Sequence, residues 1–282
     1  MSNDIRVGFS MHPRWVDHGD LESFVTPLRS AGLSALEFEL DDHLDLWTDF
    51  APLMEAAFRS GLELCFHAPY RPPRSLVGFA AERRSTIARE YRPMLDIAEE
   101  WTQRRGEAST VVVHAARARL PVDPRSLLAD TEVFLHWLLR TYPGLCFALE
   151  NDHPPEGDEV KIGVEREAIL AMLASVQNAH LGACWDMGHD VLRNKTEEEP
   201  TPAWLSKVAH VHVHDVDNAG KDHYPLVFGN VPCVRWLRLL RKAKMKGIAV
   251  LELQGGRLMN WPIEKITAAL TDSVASIARE VG

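Results

Sequence analysis

Six short apolar runs in this chain each stop at a residue able to bind a cation or move a proton. Leu181 to Trp185 stops at Asp186, and His189 follows three residues later. Leu64-Cys-Phe stops at His67, Val111-Val-Val at His114 and Phe147-Ala-Leu at Glu150. Val208-Ala-His-Val stops at His212, and Ala249-Val-Leu at Glu252. One Asp-x-x-His pair carries little weight, because such pairs also arise as helix caps. The recurrence of the same ending makes a pattern. Glu150, Asp186, His212 and Glu252 close four successive runs, and strands lie roughly 4.8 Å apart, so their ends can meet on one ion. Three carboxylates and an imidazole suit a divalent metal, with zinc or manganese ahead of magnesium or cobalt. His67 and His114 extend that cluster, with Glu150 able to bridge to them. His189 and His223 form a further corner, so more than one metal is possible and substrate binding is the other role open to these four histidines.

The elements that must position these groups alternate along the chain. Strand signals fall at Ile5 to Ser10, Ala35 to Leu40, Glu63 to His67, Thr110 to His114, Cys146 to Glu150, Leu181 to Asp186, Val208 to His214 and Ile248 to Glu252. Helical spacing lies between them, near 20–32, 50–59, 80–103, 124–140, 164–175, 234–246 and 262–281. The segment 151–161 reads as a polar loop, and His189 is expected in a turn. Eight strand–helix units predict a closed (β/α)8 TIM barrel, in one domain over residues 1–282. The barrel also accounts for the polar strand ends, because its site is built at the C-terminal mouth. An open doubly wound sheet is less consistent, since no Gly-rich phosphate turn follows the first strand. No nucleotide cofactor is expected for the same reason.

Side chains two apart on a strand share a face, so His210, His212 and His214 point one way. His210 would sit roughly 6.6 Å below His212, as a hydrogen-bonded core histidine. His214 would lie at the rim, supporting the site or the substrate. By the same parity Cys65, Cys146 and Cys184 read as small packing residues beneath His67, Glu150 and Asp186. Arg71, Arg74, Arg117 and Arg119 follow the third and fourth strands and are candidates for clamping a substrate anion. Trp47 and Tyr70 are candidate pocket walls.

Bulk composition narrows the classes. With 46% hydrophobic residues, the chain can bury a large core. A net charge of −9 argues against a broad nucleic-acid-binding face. The four cysteines lie in apolar runs and build no disulfide framework. Together with the lack of a signal-peptide pattern or membrane-length apolar run, this leads us to expect a cytoplasmic protein. Self-association into a homo-oligomer remains open.

Taken together, His67-Ala-Pro-Tyr, Val113-His114, Leu149-Glu150-Asn, Cys184-Trp-Asp-Met-Gly-His189, His212-Val-His-Asp215, Asp222-His223-Tyr-Pro-Leu and Leu251-Glu252 resemble the xylose isomerase-like barrels. That superfamily holds sugar and sugar-phosphate isomerases and epimerases, and the endonuclease IV type of abasic-site nuclease. The resemblance implies that Glu150, Asp186, His212 and Glu252 form the metal quartet. It further implies that Glu150 and Glu252 exchange a proton with carbon on a carbohydrate-like substrate. For the nuclease branch it would make His67, His114 and Glu150 one zinc site, and His189 with His223 part of another. The chain departs from that branch: Lys221 replaces an acid, Leu226-Val-Phe-Gly229 replaces Leu-Gly-Glu-Gly, and Arg71-Pro-Pro-Arg74 replaces the DNA-contact loop. The isomerase branch is therefore preferred. Nuclease action and a non-catalytic, ligand-binding barrel are the alternatives.

Overall fold

The computed structural model describes residues 5–11, 21–39, 47–70, 75–193 and 198–282. Eight parallel strands close into a barrel: β1 (Ile5–Met11), β2 (Ala35–Glu39), β3 (Glu63–His67), β4 (Thr110–Val113), β6 (Cys146–Glu150), β8 (Leu181–Asp186), β9 (Val208–Val213) and β10 (Gly247–Leu251). Each lies beside its sequence neighbours, and β1 pairs with both β2 and β10, so no edge is left open. Two short strands, β5 (Arg117–Arg119) and β7 (Glu159–Lys161), pair antiparallel in the loops above β4 and β6. That ribbon falls where irregular loops were expected. Its three-residue strands are too short for alternation to reveal.

Helices fill the crossovers: α1 (Leu21–Ser30), α2 (Trp47–Arg59), α3 (Arg84–Arg105), α4 (Pro124–Thr141), α5 (Arg166–Val176), α6 (Met187–Leu192), α7 (Pro202–Leu205), α8 (Cys233–Lys242), α9 (Gly255–Leu258) and α10 (Ile263–Val281). In α4, Asp123 caps the first turn by accepting the Arg125 N–H at 3.0 Å, and Pro124 begins it. Leu127, Phe134, Leu135 and Leu138 then bury one stripe, each contributing about 1.5–3 kcal/mol. The helix expected near 80–103 begins at Arg84, because residues 77–83 are occupied by turns. Asp130 of α4 holds those turns by accepting the Gly78 and Ala80 N–H groups at 2.8 and 2.7 Å.

The apolar faces of the strands pack outward on the helices, leaving the barrel interior to a narrower set. Ala35, Cys65, Ile248 and Val250 form one interior cluster, and Val112, Ala148 and Cys184 another. Cys65 and Cys184 thus pack below the mouth. Cys146 lies deeper on the same face as Glu150, at the start of β6 opposite Thr110, where it is only half-buried and outside both clusters. Among the described residues no helix is long and apolar enough to cross a membrane.

Candidate metal centre at the barrel mouth

The barrel register brings four strand ends to one height. Asp186 of β8 pairs with His212 of β9, and Glu252 follows β10 with its N–H bonded to the Val213 carbonyl at 3.1 Å. Glu150, Asp186, His212 and Glu252 each offer a ligand atom, all within 4.8 Å of one another. His212 Nδ1 lies 3.1 Å from Glu252 Oε2 and 3.5 Å from Glu150 Oε1. All four residues are buried. His212 Nδ1 and Glu252 Oε2 are buried and make no hydrogen bond, although they face each other. Such orphaned atoms are costly unless a cation fills the gap, so the residues fit a divalent ion of the hard or borderline kind.

The charges agree with this arrangement. Burial pushes the Glu150 carboxyl up, but His114 and His212 more than offset it and hold it well below the usual range. Burial likewise opposes ionisation of Glu252, while His212 and His223 hold that group well below. Both carboxylates are therefore anionic, and both can accept a proton.

A further acid, Glu37 of β2, completes the support and was not among the expected site residues. It is fully buried, with Oε1 3.1 Å from His212 Nε2 and Oε2 2.8 Å from His210 Nε2. Burial raises its pKa, but His212 and His210 overcome this and bring it to about 2. The His212 Nε2–H donates to Glu37, so Nδ1 is the nitrogen turned toward the quartet and the one a cation would take. Glu37 alternates with the buried apolar residues Leu36 and Phe38 along β2, a pattern that by itself marks no site. In this closed barrel Leu36 and Phe38 pack outward, while Glu37 looks inward onto His210 and His212. His210, read as a core histidine, is fully buried on this same carboxylate.

His67 Nε2 and His114 Nε2 stand 3.3 Å apart, at 3.2 and 3.1 Å from Glu150 Oε2. Those separations match the edge of a tetrahedron with bonds of about 2.0 Å, roughly 3.3 Å. Burial lowers the His67 pKa, but the hydrogen bond and charge of Glu150 raise it to about 9. Behind His114 lies Asp152, 3.8 Å from its Nδ1, with Arg117 at 3.3 Å and Lys161 at 3.2 Å from the same carboxylate. Tyr70 stacks on His114 at 4.0 Å, and the Arg117 guanidinium lies 4.1 Å over Tyr70. Arg117 is thus held by Asp152 and Tyr70. Asp152 was hidden in what reads as a polar loop.

His189 is not in a turn. Asp186 caps α6 through the His189 N–H at 2.8 Å, so His189 sits in the first helical turn. Its Nδ1 lies 2.8 Å from the Asn151 carbonyl, and its buried Nε2 has no hydrogen-bond partner. Asp186, His189, His214 and His223 form another group at ligand spacing. His223 Nε2 is 3.3 Å from Glu252 Oε2, and Asp222 contacts its Nδ1 at 3.1 Å.

Above these residues opens a cleft of about 450 Å³, lined by Tyr70, His153, Leu192, Lys221, His223 and Arg257 among others. A larger cavity of about 570 Å³ lies away from the metal residues, between α8, α10 and the loop before α8. The first adjoins the quartet through His223, which reaches Glu252. Arg119 is largely exposed and 3.6 Å from Asp158 on the ribbon. Arg71 and Arg74 lie outside the described residues, as does the Trp47 side chain.

Fold and site together define a barrel with a carboxylate–histidine centre at its C-terminal mouth. Residues 25–276 match the model of the xylose isomerase-like TIM barrel family, and the chain belongs to it. No curated relative matches the sequence. Among solved structures it is similar to D-psicose 3-epimerase from Clostridium cellulolyticum H10, at 13% identity and TM-score 0.69 over 97% of this chain and 96% of that one. It also resembles 3-keto-D-glucoside 4-epimerase from E. coli, at 17% identity and TM-score 0.67 over 95% and 98%. The IolI protein with a bound zinc atom is similar at 13% identity and TM-score 0.66 over 99% of both chains.

Proposed function

We propose that the chain is a divalent-metal-dependent isomerase or epimerase of a small sugar, sugar phosphate or related hydroxyketone, working through an enediolate. The observation that carries this reading is the pair of carboxylates, Glu150 and Glu252, at 3.5 and 3.1 Å from His212 Nδ1. Glu150, Asp186, His212 and Glu252 would hold the ion, which when bound acts as a Lewis acid toward a carbonyl oxygen. One of Glu150 and Glu252 would take a proton from the carbon beside that carbonyl. A proton would be returned to carbon by the carboxylic acid so formed, or by the other glutamate once it has taken a proton from a substrate hydroxyl. His212 stays oriented by Glu37. Tyr70 and Leu192 wall the cleft and limit water, while Arg117 serves by fixing Asp152 and Tyr70. Structural neighbours whose names are sugar epimerases support the substrate class.

Exchange of carbon-bound hydrogen tests the reading. Incubated in D₂O with a panel of ketoses, ketose phosphates and hydroxyketones, the metal-loaded protein should label one substrate at the reacting carbon. Glu252→Gln keeps the shape of the side chain but cannot accept the proton, so it should abolish labelling. No exchange with any member of the panel would sink the isomerase reading.

The tetrahedral spacing of His67, His114 and Glu150 favours a second reading, an abasic-site phosphodiesterase with several zinc ions. Metal-dependent nicking of abasic DNA by a protein carrying more than one ion, without hydrogen exchange on sugars, would establish it instead. Lys221 at the loop position and the net charge of −9 weigh against it.

A further inference from the structure

His214 is fully buried just beyond β9, beside the quartet yet outside it. Its Nε2 lies 3.0 and 3.1 Å from the two carboxylate oxygens of Asp186. Its Nδ1 accepts the backbone N–H of His223 at 3.0 Å. A ring nitrogen that accepts an N–H carries no proton, so the single ring proton sits on Nε2 and is donated to Asp186. The Asp215 carbonyl, 3.4 Å from Nδ1, would need a proton on that nitrogen, which the closer N–H forbids. One imidazole therefore holds a strand-end carboxylate with one edge and a loop amide with the other.

Two neighbours keep the ring in that pose. The His223 imidazole stacks on it at 4.2 Å with planes 12° apart. Gly188 of α6 lies so close that a Cβ there would come within 1.9 Å of His214 Cε1. His223 has a left-handed backbone, φ 58°, where it meets His214, and its own ring reaches Glu252. The next residue, Asp215, fastens the far part of the same loop. Its carboxylate accepts the N–H groups of Phe228, Gly229, Asn230 and Val231 at 2.6 to 3.2 Å. Adjacent side chains thus pin the 216–231 loop at two places.

We propose that His214 is a positioning residue that couples the metal ligand Asp186 to the placement of His223 and its loop over the cleft. The inference rests on the reading of Asp186 as a metal ligand. Because Asp186 and the His223 amide share one ring, ordering either end favours order at the other, and the coupling is reciprocal.

Single-edge replacements separate the two bonds. His214→Asn places a carbonyl near the Nδ1 position and loses the donor to Asp186. Zinc affinity, measured by chelator competition, should fall roughly 10-fold or more, while the His223 amide keeps its protection from hydrogen exchange in the metal-free protein. His214→Gln places an amide N–H near the Nε2 position and loses the acceptor. Its zinc affinity should stay within about threefold of the parent, an effect small beside the roughly 10-fold loss above, while protection at His223 falls. In the parent protein, zinc should raise His223 protection, and in His214→Phe it should not. Parent-like zinc affinity and His223 protection in His214→Phe would overturn the coupling, provided Asp186→Asn weakens zinc binding. Unchanged affinity in Asp186→Asn would instead remove the metal-ligand reading on which the coupling stands.

Discussion

At the scale of single residues, the centre depends on partners that never touch the substrate. Glu37 fixes which nitrogen of His212 faces the quartet, by accepting the N–H of the other. Glu37→Gln keeps the volume but can present an N–H to His212 and leave Nδ1 protonated. Metal affinity should then drop about 10- to 100-fold, and chelator competition with zinc or manganese measures it. Affinity equal to the parent would show that Glu37 only fills the barrel. Glu150→Gln and His212→Ala each remove a proposed ligand, and should lower metal content of the purified protein as read by elemental analysis. Unchanged stoichiometry in both would place the ion elsewhere.

Among the elements, the segment between β9 and α8 carries Lys221, Asp222 and His223 to the cleft without helix or strand of its own. Its order comes from buried polar bonds to Asp215 and His214. Removing the Asp215 carboxylate strands several backbone N–H groups at once, two of them at 2.6 and 2.7 Å. Asp215→Ala should therefore destabilise the protein by about 3 kcal/mol, read as a shift of the urea midpoint at unchanged slope. It should also open the 216–231 segment to proteolysis. A loss below about 1 kcal/mol, with the segment still protected, would mean that the apolar residues of the loop suffice. The short helix α6 shows a different economy. Asp186 is at once its cap and a quartet member, so the backbone that begins α6 also aims the carboxylate.

For the whole molecule, a cluster of buried histidines and carboxylates ties stability to pH and to metal. In the metal-free protein Glu150 raises the His67 pKa to about 9, against burial, and His114, His212 and His223 are also raised. A histidine with a raised folded pKa stabilises fully below its unfolded value of about 6.5, and that contribution is lost as pH climbs to the folded value. The melting temperature of the metal-free protein should therefore fall between about pH 6.5 and 9. His153 and His210, whose pKa values burial lowers, act in the opposite sense only near the lower end of that window, where their unfolded forms are still partly protonated. Zinc requires unprotonated rings, so its affinity should rise over the same window. At a concentration of 100 times Kd it should add about 2.7 kcal/mol. A metal-free melting curve flat across this window would show that His67 is not held protonated by Glu150.

Much of the barrel was legible in the sequence because both of its periods are local. Strand runs such as Val111 to Val113 and the helical stripe of Leu127, Phe134 and Leu138 need only neighbours along the chain. The quartet could be read for a related reason: polar residues that end apolar strands stand out, and a parallel barrel places every such end at one mouth. Glu37 and Asp152 could not be read in this way. Each sits in a stretch whose local pattern suggests solvent, and only closure of the sheet turns the polar face of β2 inward and folds the β5–β7 ribbon over His114. The partner of each histidine was likewise beyond the sequence, since a tautomer is set by what lies across the barrel. His212 finds Glu37 across a separation of 175 residues, and His214 finds Asp186 across 28. Chain spacing determined which groups reach the mouth; tertiary packing decided which nitrogen each one shows to a cation, because that choice depends on bonds made between distant strands.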